Sequence, residues 1–210
     1  YVREHKKINP NIKFSAIGQD ELKKEGVDII YDSELISVVG IIEVIVKYKK
    51  IKNALNIAYK HIVNNKPNLV VLVDYVEFNL KIAKFAKNKN IPVLFYIAPQ
   101  VWAWREKRIK KIINIVDHLA VVFPFEENLF KKYTKAVTYV GHPLADNNNL
   151  SPSQTKYKDR TTSIGIFPGS RESEIKNNLH LMIDSVQIRK NETIFDKNIK
   201  IFYSNDTAKQ

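Results

Sequence analysis

Short apolar runs alternate with segments of helical periodicity along most of the chain. Before residue 147 the runs lie at residues 12–18, 68–74, 92–98, 118–123 and 136–141. Between these runs, apolar residues recur three and four positions apart in four segments, at about residues 53–64, 79–88, 104–116 and 125–132. Strands this continuously apolar are usually covered by helices on both faces, and such crossovers join parallel strands. The pattern predicts an α/β fold built on a Rossmann-like, doubly wound parallel sheet.

The alternation lapses once, in the polar stretch NNNLSPSQTKYKDRTT. We therefore predict a first Rossmann-like domain at residues 1–146, a linker at 147–162 and the start of a second Rossmann-like domain at 163–210. The second part has a strand at SIGIFPG, a helix from about Glu172 and a strand at IKIFYS. We expect both domains to be truncated, because residues 1–8 look like the end of a helix whose strand is missing, and one βαβ unit cannot build a core.

Composition narrows the classes of function. A net charge of +12 suits a partner that is nucleic acid, an anionic membrane surface or a phosphorylated ligand, although lysine is abundant throughout the chain. Without cysteine there is no disulfide framework or thiolate metal site, and the five histidines form no HxxxH or HExxH pair. No apolar run is long enough to span a membrane. We expect neither a metal nor a cofactor.

Three strand ends carry residues suited to chemistry, and ligands of open α/β sheets bind at the carboxyl ends of strands. The first is VDYVEFN, which places Asp74 at a strand tip with Glu77 and Asn79 close behind. A carboxylate there can act as a general base or bind a ligand hydroxyl group. Alternatively, Asp74 caps the next helix by accepting backbone N–H bonds.

The second strand end is YIAPQVWAWRE, where Pro99 fixes a turn and Trp102 and Trp104 flank a helix start. Indole rings in such a place usually fill the gap between helix and sheet. The following helix has a buried isoleucine stripe and basic residues on its other faces. Those faces are either solvated or a nucleic-acid-binding surface.

The third strand end, FPGSRESEI, has the features of an anion site. Gly169 lets a ligand approach the backbone, Ser170 begins a helix with free N–H groups, and Arg171 adds a bidentate donor. The spacing fits neither a P-loop nor a dinucleotide fingerprint. The alternative is an ordinary glycine turn with a serine cap.

Four segments in this order, YIAPQVWAWREKRIKKI, FPFEENLFKKY, YVGHPLAD and FPGSRESEI, closely resemble the lipid-A-disaccharide synthase family. VDYVEFNL and VVGIIEVI fit the same alignment, which runs from about Ile12 to Lys190. The resemblance implies a bacterial GT-B glycosyltransferase with two Rossmann-like domains. Its expected reaction joins UDP-2,3-diacylglucosamine to 2,3-diacylglucosamine 1-phosphate, giving the β-1,6-linked lipid A disaccharide of lipopolysaccharide and UDP, without a metal.

The resemblance also implies roles for residues. Asp74 matches the candidate base, and Arg171, with Gly169 and Ser170, matches the site for the UDP phosphates. Further cleft-lining candidates are Asn79, Gln100, Trp102, Trp104, Arg105 and His142. The sequence departs from the family at Val76, where proline is usual, and at Glu77, where aspartate is common. We expect a cytoplasmic enzyme, peripheral on the inner membrane, of which this chain alone is inactive.

A membrane-facing surface is expected in SVVGIIEVIVKYKKIK, which has an apolar and a lysine-rich side. The candidates for exposed apolar side chains are Ile42, Val44, Ile45, Tyr48 and Ile51. A core helix packed on the sheet is the alternative reading of the same periodicity.

Two other functions stay open at this point. One is a different GT-B enzyme that uses a UDP-sugar, such as a peptidoglycan-type glycosyltransferase or a UDP-sugar 2-epimerase. The other is a basic module that binds nucleic acid through the helix after Trp104. The sequence leaves the oligomeric state open, and we expect no nucleic-acid partner.

Overall fold

The protein is described by a computed structural model that covers residues 1–37, 45–101, 108–146, 163–169, 172–190 and 198–202. Contacts along the chain divide it into two compact units, Tyr1–Asn149 and Leu150–Gln210. The finer division at residues 1–146, 147–162 and 163–210 stays a prediction.

The first unit alternates strands and helices. Its strands are β1 Ser15–Gly18, β2 Asp28–Asp32, β3 Val70–Val73, β4 Val93–Tyr96, β5 His118–Val121 and β6 Val137–Tyr139. Its α-helices are α1 Val2–Ile8, α2 Asp20–Lys24, α3 Tyr48–Asn65, α4 Val76–Lys87, α5 Ile109–Ile113 and α6 Pro124–Lys131. Short 3-10 helices lie at Ser33–Ile36 and Pro143–Asp146.

All described strand pairs of the first unit are parallel. β1 pairs with β2, and β3, β4, β5 and β6 form a four-stranded sheet in chain order. In this sheet Val73 lies opposite Tyr96, and Val121 lies opposite Tyr139. The carboxyl ends of the four strands therefore meet along one edge. The predicted α/β class with parallel sheets is confirmed.

The core forms where helices cover this sheet. Helix α3 places Ala54, Leu55, Ala58 and Ile62 on one buried stripe, the spacing of a helix with one apolar face. Phe95, in the second strand of the four, is fully buried. This packing fixes the strand ends and the loops that follow them.

Two elements of the first unit, β2 and α2, were not predicted from the sequence. Strand β2 contains only three apolar residues between Asp28 and Asp32, and α2 is a helix of five residues. Both are too short for periodicity to reveal. Helix α5 is described only for Ile109–Ile113, since part of the predicted segment 104–116 lies outside the described residues.

The second unit contains β7 Ser163–Ile166, α7 Glu172–Lys190 and β8 Asn198–Ile201. β7 and β8 pair in parallel, as predicted for a βαβ unit. Across the two units, none of the helices in the described ranges combines the length and apolar character needed to cross a bilayer.

Candidate functional site

The ends of β3 and β4 have unusual backbone conformations. Asp74 and Tyr75 have φ of 52° and 36°, and Ile97 has φ of 63°. This left-handed region is uncommon for residues other than glycine, and for a β-branched residue such as Ile97 it is an outlier. Strain of this kind persists only where surrounding structure enforces it, and it clusters at active sites and ligand clamps.

Side chains hold the turn after β3 in place. Asn79 Nδ2 donates hydrogen bonds to the carbonyl oxygens of Val73, at 2.9 Å, and Asp74, at 2.7 Å. The Tyr75 hydroxyl donates to the carbonyl of Ile36 at 3.1 Å. Burial raises the pKa of the Tyr75 phenol, which keeps it a donor. Asn79, expected to line a cleft, thus shapes the loop that carries Asp74.

The carboxylate of Asp74 is available for a ligand. Helix α4 begins after Tyr75 without a side-chain cap, so the alternative in which Asp74 caps this helix is wrong. The reason is the left-handed backbone at both residues, which is not the extended conformation of an ordinary N-cap. Asp74 is exposed, and among the described residues its carboxylate has no hydrogen-bond or ion-pair partner.

An ion pair joins this loop to the next one. Arg108, just before α5, contacts the Glu77 carboxylate in the first turn of α4. The two residues are 31 positions apart, so their contact has no signal in the sequence. The pair ties the loop after β3 to the segment that follows β4.

That segment is described only in part. Gln100 is exposed between the buried residues Pro99 and Val101, and the N–H of Val101 donates to the Pro99 carbonyl at 2.7 Å. Gln100 therefore points its polar group outward from a tight turn. Trp102, Trp104 and Arg105 lie outside the described residues, so their assignment to a cleft stays a prediction.

Two glutamates of α6 fix the ends of β5 and β6. Glu126 is fully buried, and its Oε2 accepts from the N–H groups of Val122, at 3.2 Å, and Phe123, at 3.0 Å. Phe123 holds the N-cap position without an oxygen to offer, so Glu126 reaches back to supply the acceptor. Glu127 Oε1 accepts from the N–H of Tyr139 at 3.2 Å.

His142 follows β6 at the same edge of the sheet. Its Nδ1 accepts a hydrogen bond from the Leu144 N–H at 3.2 Å, and its ring centroid lies 5.8 Å from that of Phe123. Gly141, one residue earlier, has φ of 82°. The structure thus brings Asp74, Asn79, Gln100 and His142 to the same edge of one sheet, each after a strand.

In the second unit, Gly169 ends the turn after β7 with φ of 116°. A β-carbon at this position would lie 2.6 Å from the Glu174 side chain, so both conformation and space require glycine. Asn178 Nδ2 supports the turn by donating to the Pro168 carbonyl at 3.3 Å. Ser170 and Arg171 lie outside the described residues, and their role stays a prediction.

The candidate side chains of the predicted membrane-facing segment differ in their exposure to solvent. Ile45 and Tyr48 are 71% and 59% exposed, and so is Val46, at 78%, which was not among the candidates. Ile51 is partly buried and packs against the core, so its prediction as an exposed side chain is wrong. It lies on the helix face of Leu55, which covers the sheet. Ile42 and Val44 lie outside the described residues.

The described part of the chain contains no cluster of three or more histidine, aspartate or glutamate side chains that could hold a metal ion. Among the described residues, the polar groups of the candidate site are single side chains at the ends of separate strands.

Comparison with known proteins gives one consistent family. The family model described as lipid-A-disaccharide synthetase matches residues 1–207. A lipid-A-disaccharide synthase of Geobacter metallireducens is 38% identical over 195 residues, 89% of this chain and 50% of that protein. The enzyme of that name from Nitrosococcus oceani is 39% identical over 193 residues, again 89% of the chain and 50% of the relative.

A lipid-A-disaccharide synthase from Coxiella burnetii strain Dugway 5J108-111 is 38% identical over 186 residues, 86% of this chain and 50% of the relative. The chain therefore spans about half the length of the curated relatives it matches.

Proposed function

The chain belongs to the lipid-A-disaccharide synthetase family, and from this premise we propose that the complete protein is a glycosyltransferase of lipid A synthesis. It joins UDP-2,3-diacylglucosamine to 2,3-diacylglucosamine 1-phosphate through a β-1,6 linkage and releases UDP. The observation that carries the proposal is the family match over residues 1–207. The exposed polar groups at the carboxyl edge of the first unit's sheet support it.

The first unit supplies a base in this proposal. Displacement with inversion requires a group that takes the proton of the acceptor hydroxyl as the new bond forms. Asp74 suits this task because its carboxylate is exposed and unpartnered among the described residues. Asn79 suits a supporting role, since its two hydrogen bonds fix the backbone that carries the carboxylate.

The second unit binds the diphosphate of the donor in this proposal. As the sugar leaves UDP, negative charge develops on the phosphate oxygens and requires donors already in position. Gly169, Ser170 and Arg171, which stand between β7 and α7 in the sequence, would provide them, with the guanidinium as a two-pronged donor.

The decisive experiment is an assay of the complete protein with both acylated substrates. We expect stoichiometric formation of the disaccharide and UDP. Turnover of UDP-N-acetylglucosamine with a peptidoglycan lipid acceptor, or its epimerisation, would instead identify one of the other GT-B activities. Formation of no disaccharide under any condition in which the protein is folded would contradict the proposal.

A second experiment examines the donor side. In the complete protein, Arg171→Lys should weaken UDP binding by about 1.5–3 kcal/mol, because a point charge cannot replace a bidentate fork. Calorimetric titration with UDP measures this, and Arg189→Lys, near the end of helix α7, serves as the matched control because it makes the same substitution away from the turn. Unchanged UDP affinity in Arg171→Lys would remove this residue from the site.

We further propose that the enzyme works on the cytoplasmic face of the inner membrane. Both proposed substrates carry acyl chains, and Ile45, Val46 and Tyr48 expose apolar side chains next to the exposed Lys49 and Lys50. Apolar insertion together with attraction to anionic lipid is the usual combination for a surface-bound segment.

Vesicle binding tests this surface. Ile45→Ser combined with Tyr48→Ser should release the complete protein from anionic liposomes with little change in melting temperature. Val63→Ser is the matched control, because Val63 is also exposed but lies near the other end of helix α3. Retention of the double variant on liposomes would place the membrane contact elsewhere.

A further inference from the structure

The histidines of the first unit differ in how their ring nitrogens are used. In His61, Nδ1 faces Asn65 Nδ2 at 3.2 Å, and Nε2 lies 2.7 Å from the Ser15 hydroxyl. In His118, Nε2 lies 2.9 Å from the Thr138 hydroxyl. In His142, Nδ1 accepts from Leu144, but Nε2 has no partner among the described residues.

The bond to Leu144 decides which nitrogen of the neutral His142 ring carries the proton. A backbone N–H can only donate, so Nδ1 must be the acceptor. The proton of the neutral imidazole then lies on Nε2. His142 is exposed and its Nε2 has no partner among the described residues, so this N–H is available to a ligand.

An aromatic surface lies beside this donor. The Phe123 and His142 rings are tilted by 42° with centroids 5.8 Å apart. The Phe125 ring stacks on the Phe123 ring, with centroids 5.7 Å apart. Phe125 and Leu144 expose apolar surface next to them. Apolar surface with one or two precisely placed polar groups is the usual composition of a small-molecule site.

The position of this surface is set by the surrounding bonds. The Val140 N–H donates to the Val121 carbonyl at 2.9 Å, and Glu126 fixes the start of α6 through the Phe123 N–H. Glu127 holds β6 through the Tyr139 N–H. Groups fixed before a ligand arrives bind it with a smaller entropy cost.

We propose that His142 Nε2–H donates a hydrogen bond to an oxygen of the acylated acceptor sugar, whose apolar part lies against Phe123 and Phe125. The inference rests on the proposed function and adds a specificity-determining residue to it. The oxygen belongs either to an acyl carbonyl group or to the 1-phosphate, both of which accept hydrogen bonds.

Two substitutions separate the donor from the loop contact. His142→Asn keeps an oxygen at the position of Nδ1, which preserves the bond to Leu144, but removes the donor at the position of Nε2. His142→Gln does the reverse, since its amide nitrogen reaches the position of Nε2. Steady-state kinetics of the complete protein then measure KM for each substrate and kcat.

We expect His142→Asn to raise KM for the acceptor about 3–10-fold, the effect of one lost hydrogen bond, with kcat, donor KM and melting temperature unchanged. His142→Gln should keep acceptor KM close to wild type and lower the melting temperature. An acceptor that lacks the 1-phosphate distinguishes the two possible oxygens. If a phosphate oxygen accepts the bond, wild type and His142→Asn should have the same KM for this acceptor.

Equal acceptor KM in wild type and His142→Asn would overturn the inference while leaving the proposed function intact, provided that wild type makes the disaccharide. If wild type makes none, the same variants are compared by calorimetric binding of the acceptor. Binding to wild type that is about 3–10-fold weaker in His142→Asn would then support the inference alone, and the absence of binding to wild type would refute it.

Discussion

The two ends of the four-stranded sheet differ in how their polar groups are used. At the amino end, the Asp117 carboxylate pairs with Lys87 and accepts from the Val93 N–H at 2.9 Å, and His118 pairs with Thr138. At the carboxyl end, the Asp74 carboxylate and His142 Nε2 have no partner among the described residues. The polar side chains named at the amino end bond to other parts of the fold, while the carboxyl end leaves two polar groups, on Asp74 and His142, available to a ligand.

Backbone conformation follows the same division. Lys66 and Asn90, which lead into strands, also have positive φ, but they follow helices, where a left-handed residue is a common ending. Asp74, Tyr75 and Ile97 instead follow strands. Strain and open polar groups therefore lie at the end of the sheet where ligands of α/β folds bind, while the side chains at the opposite end mainly stabilise the fold.

The largest expected effect is at Asp74. Asp74→Asn in the complete protein should lower turnover about 10²–10⁴-fold, because an amide cannot accept the proton of the acceptor hydroxyl. Asparagine tolerates the left-handed conformation, so the melting temperature should barely change. Rate and melting curve are measured on one preparation. Near-normal turnover would show that Asp74 is not the base, and the difference between the two ends of the sheet would then not reflect catalysis.

A smaller effect is expected at Gly141, which leads into His142. Gly141→Ala should destabilise the protein by about 1–2 kcal/mol, the cost of left-handed backbone for a residue with a β-carbon. No atom lies within 4 Å of that carbon, so steric overlap adds nothing. Denaturant unfolding measures the loss. Gly141→Asn should cost less, and equal losses for the two variants would contradict a conformational origin.

At the amino end, Asp117→Asn should cost about 1 kcal/mol of stability and leave turnover unchanged. The amide oxygen can still accept from the Val93 N–H, but the ion pair with Lys87 is lost. Chemical denaturation measures the loss of stability, and the disaccharide assay measures turnover. A marked fall in kcat at unchanged stability would show that the amino end also serves the reaction.

The smallest effect is a pH dependence. Burial acts to raise the pKa of Asp117, but hydrogen bonds from Lys87 and the Val93 N–H outweigh it and hold the pKa below its usual range. Because the folded pKa is the lower one, Asp117 contributes stability above its unfolded pKa of about 3.9. That contribution is lost as pH falls through the folded pKa.

The melting temperatures of wild type and Asp117→Asn should therefore converge as pH falls below about 4. Glu127 provides a parallel at the other end of the sheet: the Tyr139 N–H, and then Lys131, lower its pKa. Glu127→Gln should show the same direction of convergence. A difference in melting temperature that is constant down to pH 3 would contradict these carboxylate contributions.

The sequence predicted the features that repeat and missed those that depend on tertiary contact. Apolar runs revealed β3 to β6, the rule that ligands bind at strand ends selected Asp74 and Asn79, and the family resemblance selected His142. The Glu77–Arg108 pair escaped notice because only the fold brings these residues together. The left-handed Ile97 has no sequence signal, since isoleucine rarely adopts that conformation.

Hydrogen–deuterium exchange of the complete protein with and without 2,3-diacylglucosamine 1-phosphate tests most directly where the ligand binds. We expect slower exchange in peptides that contain residues 74–79 and 139–145, at the carboxyl ends of the strands. Peptides that contain residues 115–119 or His61, at the amino ends, should exchange as before. Protection at the amino ends, with none at the carboxyl ends, would contradict the assignment of the site.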